Sequence, residues 1–431
     1  MLIRRKWGEQ ALAVGVCLQT MFTAGGLRSV TWTIGLFALP AHLNAKCKIG
    51  IITAMEQGHK LRVLLLYKAM IPSVRLCGHC QLAELAAQDE IEYRHCQVNH
   101  VRRRDLDWAE IIVLSRLDSI FEARIARMLR RNGKTIIYML DDDLLHVPAE
   151  FASGAYYAKA DIQANIRSMM ALSDAIVSPS PLLLARYAAK NQTAILLEEP
   201  AVDPVPYTPH DPRKPVRIGF AGSTDRTGDI ERILREVLLR VQHEYGERVE
   251  FVFFGAIPSC AEELQAKCVP YSASYDDYRR TMNELQLDIG LAPMPETDFH
   301  ACKHYNKFIE YAAANTVGIF SRVSPYDRID ALFGWKLLCE NRADSWYAAI
   351  RKLLDHPDEL DALKRRVAEL AGTSFSTSVI AQALLADLRK LPESAAGRRV
   401  SATGFHVIRG LAFCRRIAGG LNRRCLRLLR R

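Results

Sequence analysis

The chain has 431 residues, of which 49% are hydrophobic and 25% charged, the composition of a globular protein. This excludes a collagen-like or largely disordered chain, and the length is sufficient for two domains of ordinary size. The net charge is +10, but residues 394–431 carry ten Arg and no acidic residue, which leaves 48 basic and 48 acidic residues elsewhere. The positive charge therefore belongs to the C-terminal tail, and no nucleic acid is expected as a partner.

Residues 1–57 have only some features of a targeting segment. Basic residues 4–6 precede an apolar stretch that begins at Ala11, as in a secretory signal peptide. Arg28 divides that stretch into two pieces, each shorter than the roughly 20 apolar residues of a membrane helix. We expect a poorly ordered extension, or an effect of start-site choice with Met55 as the true first residue. A signal peptide or membrane anchor is the alternative.

Residues 58–205 contain strands that alternate with helices. Short continuous apolar runs predict buried parallel strands, and the segments between them have helical periodicity. The predicted strands are 62–67, 111–114, 135–140, 175–177 and 194–197, and the predicted helices are 76–87, 120–131, 162–172 and 181–190. The alternation predicts a parallel sheet that is covered by helices on both faces.

Six prolines between Glu199 and Pro215 form neither helix nor central strand, and they predict a linker. The alternation then restarts. The predicted strands are 216–222, 249–254, 289–292 and 317–320, and the predicted helices are 230–245, 275–285, 303–314, 344–354, 357–370 and 377–388. The fold class is therefore α/β, with two doubly wound Rossmann-like domains, 58–205 and 206–390, that face each other across a cleft.

The turn after the strand at 216–222 is a candidate phosphate site. Gly222 and Ser223 lie between that strand and a predicted helix, where free backbone N–H groups and the positive helix end suit an anion. The turn matches neither a complete dinucleotide-binding fingerprint nor a P-loop. A tight turn that needs glycine for backbone reasons is the alternative.

The predicted helix at 303–314 carries a second candidate site. Lys303, Asn306, Lys307 and Glu310 share one polar face of this helix. Lysines in a dry cleft can neutralise the charge that develops on a departing nucleoside diphosphate, and a carboxylate can accept hydrogen bonds from ribose hydroxyls. A solvated face with helical ion pairs is the alternative.

With these residues, the segment 288–319 resembles the donor-binding region of family-4-type GT-B glycosyltransferases. The resemblance implies that Glu310 binds the donor ribose, with Lys307 and Glu310 as catalytic candidates. Many members have another acid eight residues earlier, where this chain has Cys302, so the Glu-x7-Glu pair is absent. The resemblance implies a hexosyltransferase-type enzyme whose substrate is a nucleotide sugar and which needs no cofactor and no metal.

Asp141, Asp142 and Asp143 follow the predicted strand at 135–140. Three adjacent acids suit a divalent cation that is held with the donor diphosphate, as in GT-A transferases, but those enzymes have one sheet and this chain has two. In similar GT-B sequences an Asp pair follows this strand. We therefore expect Asp142 and Asp143 to be catalytic on the acceptor side, for example as a general base. A structural cap on the next helix is the alternative.

Three residues after the first two strands of the N-terminal domain are candidates for substrate binding. Ser73 and Arg75 follow the first predicted strand, and Arg116 follows the second. The equivalent loops of GT-B enzymes face the acceptor and the donor phosphates. An exposed arginine without a ligand is the alternative at positions 75 and 116.

The eleven cysteines do not have the spacing of a disulfide framework, so we expect reduced thiols and a cytoplasmic protein. Cys77 and Cys80 form a Cys-x-x-Cys pair at the start of a predicted helix. Zinc sites usually combine two such pairs on compact loops. Two buried helix cysteines are therefore favoured over a metal or redox pair.

Residues 391–431 alternate apolar residues with arginines, which predicts a basic amphipathic helix on an anionic membrane surface. A disordered basic tail is the alternative. We expect an enzyme on the inner face of the membrane that transfers sugar to a glycan or lipid-linked acceptor in surface polysaccharide or glycolipid synthesis. The alternatives are a non-catalytic membrane-associated scaffold, and a GT-B sugar-nucleotide epimerase, which needs cleft acids and a His that the sequence does not locate.

Overall fold

The computed structural model describes residues 12–23, 26–38, 60–393, 399–406, 408 and 410. The chain divides into two units, Met1–Lys60 and Leu61–Arg431. In the first unit, β1 (Leu12–Thr23) and β2 (Gly26–Ala38) pair as an antiparallel hairpin, which the sequence did not predict. The rest of the predicted N-terminal extension lies outside the described residues.

The N-terminal half of the second unit is built on a six-stranded parallel sheet. Its strands are β3 (Leu61–Tyr67), β4 (Ile91–Gln97), β5 (Ile111–Ser115), β6 (Thr135–Met139), β7 (Ala175–Ser178) and β8 (Thr193–Leu196). Their spatial order is β4-β3-β5-β6-β7-β8. Five of these strands were predicted. The exception is β4, because an edge strand with Glu, Arg, His and Gln side chains lacks the apolar run of a buried strand.

Seven helices belong to this half of the chain. They are α1 (Pro72–Val74), α2 (Cys80–Ala87), α3 (Arg103–Trp108), α4 (Ile120–Arg131), α5 (Gly154–Tyr157), α6 (Ala160–Leu172) and α7 (Pro181–Tyr187). The helix predicted at 76–87 begins only at Cys80. Cys77 (φ −93°, ψ 24°) and Gly78 (φ 171°, ψ −49°) leave helical geometry, and a wide turn over Arg75–His79 connects α1 to α2.

The C-terminal half contains a second six-stranded parallel sheet. Its strands are β9 (Val216–Gly222), β10 (Val249–Gly255), β11 (Lys267–Val269), β12 (Ile289–Ala292), β13 (Val317–Ser321) and β14 (Leu338–Cys339). Their order is β11-β10-β9-β12-β13-β14, which is the strand order of dinucleotide-binding Rossmann folds. The sequence did not predict β11 and β14, which are two to three residues long and form the edges of the sheet.

The helices of the C-terminal half are α8 (Thr227–Tyr245), α9 (Tyr275–Leu285), α10 (Asp298–Ala301), α11 (Asn306–Ala313), α12 (Arg328–Phe333), α13 (Ala343–Asp355), α14 (Pro357–Gly372) and α15 (Thr377–Leu388). The helix predicted at 303–314 begins at Asn306. Lys303 therefore lies in the turn before α11 and does not share a helical face with Glu310, contrary to the prediction.

The last helix packs against the other half of the chain. Ile380, Leu384 and Leu388 of α15 are buried in the same hydrophobic cluster as Val63 and Leu65 of β3. The predicted C-terminal domain, 206–390, therefore ends in a helix that completes the core beneath the first sheet. Burial of apolar surface on both faces of a parallel sheet is the main stabilising contribution of such a fold.

The first part of the predicted tail also packs on the N-terminal half. Val400 and Phe405 are 1% and 2% exposed and lie in the hydrophobic cluster on the other face of the first sheet. The backbone N–H of Val400 donates to Asp107 Oδ1 at 2.6 Å. Residues 411–431, which carry most of the predicted membrane-binding helix, lie outside the described residues.

Within the described ranges, no helix combines the length and the apolar character that crossing a membrane requires.

Candidate active site

A cavity of about 410 Å³ lies between the two sheets, at the carboxyl ends of their strands. The N-terminal half lines it with loops that follow β3, β5 and β6, and the C-terminal half lines it with loops that follow β9 and β12. The strand order of each sheet reverses between β3 and β5 and between β9 and β12. Doubly wound sheets bind ligands at these reversal points, so one cavity occupies the binding position of both domains.

Eight of the eleven predicted site residues line this cavity. They are Ser73, Arg116, Asp142, Gly222, Ser223, Lys303, Asn306 and Lys307. The other three, Arg75, Asp143 and Glu310, lie outside its wall. Each of these three side chains is held by other residues of the protein, as described below.

The glycine turn forms the C-terminal half's side of the cavity. Gly222 ends β9, and the chain passes through a 3₁₀ turn at Thr224–Arg226 into α8. A Cβ atom at Gly222 would lie 2.8 Å from Cζ of Phe220 and 3.6 Å from Cε of Lys307. Steric crowding thus requires glycine here. Because Gly222 has no side chain, the space between this turn and Lys307 stays free.

Glu310 is buried in the middle of α11, and both of its carboxylate oxygens accept hydrogen bonds. Its Oε2 accepts from the Tyr278 hydroxyl at 3.0 Å and pairs with Lys307, and its Oε1 accepts from Asn306 Nδ2 at 3.1 Å. Burial and the adjacent Glu310 raise the pKa of Tyr278 well above its usual value, so this phenol remains a donor. These three donors leave about one acceptor position of the carboxylate, on Oε1, for a ribose hydroxyl. The predicted ribose contact stays a prediction.

Lys303 and Asp142 join the two halves across the cavity. Lys303 Nζ donates to Asp142 Oδ1 at 2.9 Å, and Arg116 Nη1 lies 3.3 Å from Asp142 Oδ2. Arg116 also pairs with Asp141. Burial alone would raise the pKa of Asp142, but the Lys303 and Arg116 charges outweigh it and hold that pKa below its usual value. Such a carboxylate is a weak proton acceptor, which argues against Asp142 as a general base.

Asp143 is fully buried, and its contacts are structural. Arg186 and the Tyr187 hydroxyl both donate to its carboxylate, and His146 Nδ1 lies 3.1 Å away. These contacts tie the loop after β6 to α7. These contacts favour the structural alternative, and the catalytic role of Asp143 stays a prediction.

Arg75 bridges the halves at the edge of the cleft. Its Nη1 lies 2.5 Å from Asp276 Oδ1, and its guanidinium lies 5.2 Å from the centre of the Tyr275 ring. Asp276 and Tyr275 belong to the first turn of α9. Arg75 is therefore occupied by protein partners, whereas its neighbour Ser73 faces the cavity.

The position that lacks the second acid of the family motif does not face the cavity. Cys302 is 1% exposed and packs in a hydrophobic cluster with residues of the N-terminal half. The next residue, Lys303, does line the cavity. An acidic cavity residue must therefore come from another part of the chain.

Glu199 and His304 line the cavity, and the sequence did not identify either residue. Glu199 follows β8, where the chain crosses from the first half to the second, and His304 lies in the turn before α11. The Glu198-Glu199 pair at the start of the linker was the only local signal. Their relation to His304, more than 100 positions away, requires the fold.

Among the residues that the structure describes, no group of three His, Cys, Asp or Glu side chains is arranged to hold a metal ion. Asp141 and Asp142 pair with cationic side chains, as described above. Cys77 is buried, and Cys80 is partly buried at the first position of α2. The Cys77 thiol donates to Glu199 Oε1 at 3.1 Å.

No family model matches the chain, and no curated protein matches it in sequence. Among solved structures, sucrose-phosphate synthase from Thermosynechococcus elongatus is similar with a TM-score of 0.50 at 13% identity, over 77% of this chain and 99% of that one. HepE from Anabaena, in complex with UDP and glucose, gives 0.49 at 9% identity, over 77% and 100%. A Listeria monocytogenes protein assigned as a UDP-N-acetylglucosamine 2-epimerase gives 0.48 at 10% identity, over 77% and 96%.

The two six-stranded parallel sheets, with the carboxyl ends of their strands around one cavity, define the GT-B fold. The structural match to sucrose-phosphate synthase covers both halves and confirms the predicted fold class. At this sequence identity the similarity shows the architecture alone. The chemistry has to be argued from the cavity.

Proposed function

We propose that this protein is a glycosyltransferase of the hexosyltransferase type, which moves a sugar from a nucleotide-sugar donor to an acceptor. The observation that carries the proposal is the single cavity at the reversal points of both sheets, with lysines on its C-terminal side. This arrangement suits a two-substrate reaction, because each half can hold one of the two molecules at the same cavity. Closure of the two halves would exclude water from the sugar.

The donor diphosphate is assigned to the C-terminal half. Gly222 ends β9, and Ser223 precedes the helical turn that leads into α8. Lys307 lies next to Gly222. Lys303 and Arg226 complete the cationic part of the wall. Fixed positive groups in a closed site stabilise the negative charge on a departing nucleoside diphosphate.

The proposal includes no metal cofactor, because the lysines and Arg226 can supply the positive charge that a divalent cation would otherwise contribute. Transfer in the presence of EDTA tests this point. Full activity is expected, and activity that returns only with added Mg²⁺ or Mn²⁺ would contradict it.

The acceptor is assigned to the N-terminal half and is proposed to be a glycan or lipid-linked molecule. Met70 and Ile71 are 37% and 41% exposed in the loop before Pro72, which lines the cavity. Large exposed apolar side chains next to a residue of the cavity wall suit an acceptor with an apolar portion. Together with the basic tail, they support the proposal that the protein acts at an anionic membrane surface, on the cytoplasmic side, in polysaccharide or glycolipid synthesis; the cytoplasmic part of the proposal rests on the cysteine pattern alone. Binding of the full chain to vesicles with and without phosphatidylglycerol tests the membrane part.

Thermal unfolding with a ligand panel tests the donor site directly. The panel contains UDP-glucose, UDP-N-acetylglucosamine, GDP-mannose, ADP-glucose and the matching nucleoside diphosphates. A ligand at a hundred times its dissociation constant should add about 2.7 kcal/mol to the free energy of unfolding. One nucleotide series is expected to stabilise the wild type. No stabilisation of the folded protein by any nucleotide would favour a non-catalytic scaffold.

Glu310→Gln and Tyr278→Phe separate the ribose contact from local packing. Both variants retain the size of the side chain, and Glu310→Gln can still accept a hydrogen bond from Tyr278. If Glu310 binds the ribose, Glu310→Gln should weaken nucleotide binding about tenfold or more, and Tyr278→Phe much less. Equal effects would assign Glu310 a purely structural role.

A sugar-nucleotide epimerase is the second candidate, because Glu199 and His304 place an acid and a histidine in the cavity wall. Proton NMR of the donor that binds, incubated with the protein and no acceptor, separates the two functions. An epimerase converts the sugar to its stereoisomer under these conditions. A glycosyltransferase leaves it unchanged and consumes it only when acceptor is added.

A further inference from the structure

Three residues at the floor of the cleft form a hinge triad: Glu198, Glu199 and His304. The two glutamates follow β8, where the chain leaves the first sheet, and His304 precedes α11 of the second half. His304 Nε2 lies 2.6 Å from Glu198 Oε1, and His304 Nδ1 lies 3.8 Å from Glu199 Oε2. The triad therefore links the two halves at the point where the chain crosses between them.

His304 is a buried cation in this arrangement. Its side chain is 4% exposed, and burial alone would lower its pKa. The Glu198 and Glu199 carboxylates outweigh burial and raise the pKa of His304 to about 9. The imidazole is thus protonated at neutral pH. It holds two carboxylates in place that would otherwise repel each other.

The two glutamates differ in their remaining contacts. Glu198 accepts a hydrogen bond from the Tyr305 hydroxyl in addition to its ion pair with His304, and it does not line the cavity. Glu199 lines the cavity and is 4% exposed. Its Oε1 accepts from the Cys77 thiol at 3.1 Å, but no described residue donates a hydrogen bond to its Oε2.

A buried carboxylate oxygen without a donor is costly, and buried polar atoms are almost always satisfied. Glu199 Oε2 is one of several such atoms among the described residues, but Glu199 lines the cavity, so a small rotation of its side chain lets a donor from a bound molecule reach this oxygen. A phosphate cannot, because it carries only acceptors and negative charge. A sugar hydroxyl can, because it donates a proton to a carboxylate oxygen.

We propose that Glu199 Oε2 accepts a hydrogen bond from a hydroxyl group of the donor sugar, and that His304 and Glu198 are positioning residues for this contact. The proposal rests on the proposed function and adds the orientation of the nucleotide sugar in the cavity. The diphosphate lies toward Lys303, Lys307 and Arg226, and the sugar lies toward the hinge triad. Glu199 is then a residue that selects among donor sugars.

The test compares Glu199→Gln, which changes the acceptor itself, with Glu198→Gln, which changes only a positioning residue. Each variant is titrated with the nucleotide sugar that stabilises the wild type and with its nucleoside diphosphate, by isothermal titration calorimetry. Glu199→Gln is expected to weaken nucleotide-sugar binding by about 10- to 100-fold, since a hydrogen bond to a charged group is lost. Binding of the diphosphate should change by less than about threefold. Glu198→Gln removes a positioning charge but leaves the acceptor oxygen in place, so it should shift the ratio of the two affinities in the same direction by a smaller factor than Glu199→Gln does.

Deoxy donors keep the test decisive if the Glu199 variant does not fold. Among donor analogues that each lack one sugar hydroxyl, one should bind the wild type at least about tenfold more weakly than the parent. In a folded Glu199→Gln or Glu199→Asp protein that difference should shrink. Equal weakening of sugar and diphosphate binding by Glu199→Gln, or a wild type that binds every deoxy donor like the parent, would overturn the proposal. A wild type that binds neither ligand would instead refute the proposed function.

Discussion

Lys303 and Asp142 are 161 positions apart in the chain, and their side chains meet at 2.9 Å between Nζ and Oδ1. The contact joins the loop after β6 of the first sheet to the turn before α11 of the second half. About a quarter of each side chain remains exposed. The pair therefore lies at the cavity surface, where a bound anion would compete with Asp142 for the lysine.

A double-mutant cycle measures what this contact contributes. Lys303→Met and Asp142→Asn, alone and together, are expected to show a coupling free energy of about 1 kcal/mol in urea unfolding, because the residues touch directly but are partly solvated. The coupling should decrease in 1 M NaCl, where exposed charges are screened. A coupling indistinguishable from zero would mean that the contact does not stabilise the arrangement of the two halves.

Asp143→Asn should affect stability more than catalysis. The carboxylate accepts from Arg186 and Tyr187 in a fully buried position, and an amide there places an N–H against donors. We expect a loss of about 2 kcal/mol in the free energy of unfolding, discounted because Arg186 is partly exposed. At a temperature where both proteins are folded, kcat should stay within about threefold of wild type. A stable but inactive Asp143→Asn would restore the catalytic role that the sequence suggested.

The sequence was sufficient to predict both sheets because most of their strands are continuous apolar runs between helices with clear periodicity. Edge strands such as β4 and β14 were missed, since they are polar or only two residues long. The start of α11 was placed three residues early because Lys303 fits the helical pattern of charges. In the structure Lys303 lies in the turn before the helix and contacts Asp142 of the other half, which a local sequence pattern cannot show.

The sequence predicted those site residues that directly follow a predicted strand or lie in a predicted helix, and it did not predict contacts between the two halves. Gly222, Ser223, Asn306 and Lys307 line the cavity because they follow strands whose ends the pattern located. Asp143 and Asp142 are neighbours in sequence with opposite environments, and no sequence rule distinguishes them. His304 and Glu199 are far apart in the sequence and come close only when the two halves of the fold meet. Local sequence patterns therefore could not predict their roles.

Gly255→Ala is expected to destabilise the donor half strongly. Gly255 ends β10 beside Gly222 of β9, with φ of +82°, and an added Cβ would lie 2.0 Å from the Gly222 carbonyl oxygen. Unfavourable backbone geometry and overlap together should cost about 3 kcal/mol. Gly228→Ala in α8 is the control, because a Cβ there has no atom within 4 Å, and it should gain up to about 1 kcal/mol. Chemical unfolding of both variants checks the contrast, and equal effects would contradict the crowding at Gly255.

The charge on His304 predicts a specific loss of stability at alkaline pH. Its pKa is raised from 6.5 to about 9 in the fold, so its ion pairs contribute fully below pH 6.5 and are lost as the pH rises through 9. One proton limits the slope to about 1.4 kcal/mol per pH unit. The unfolding free energy of wild type, relative to His304→Gln, should therefore fall between pH 6.5 and 9.

The titration of His300 affects stability in a different pH range, so it does not interfere with the measurement on His304. Burial, with Arg226 and Lys303 nearby, lowers its pKa to about 4, so its contribution is present above pH 6.5 and is lost as the pH falls toward 4. Titrating cysteines and tyrosines are common to both proteins and cancel in the difference between wild type and His304→Gln. Parallel stability profiles of these two proteins from pH 6.5 to 9 would show that His304 is not a buried cation, and the positioning role of the hinge triad would lose its electrostatic basis.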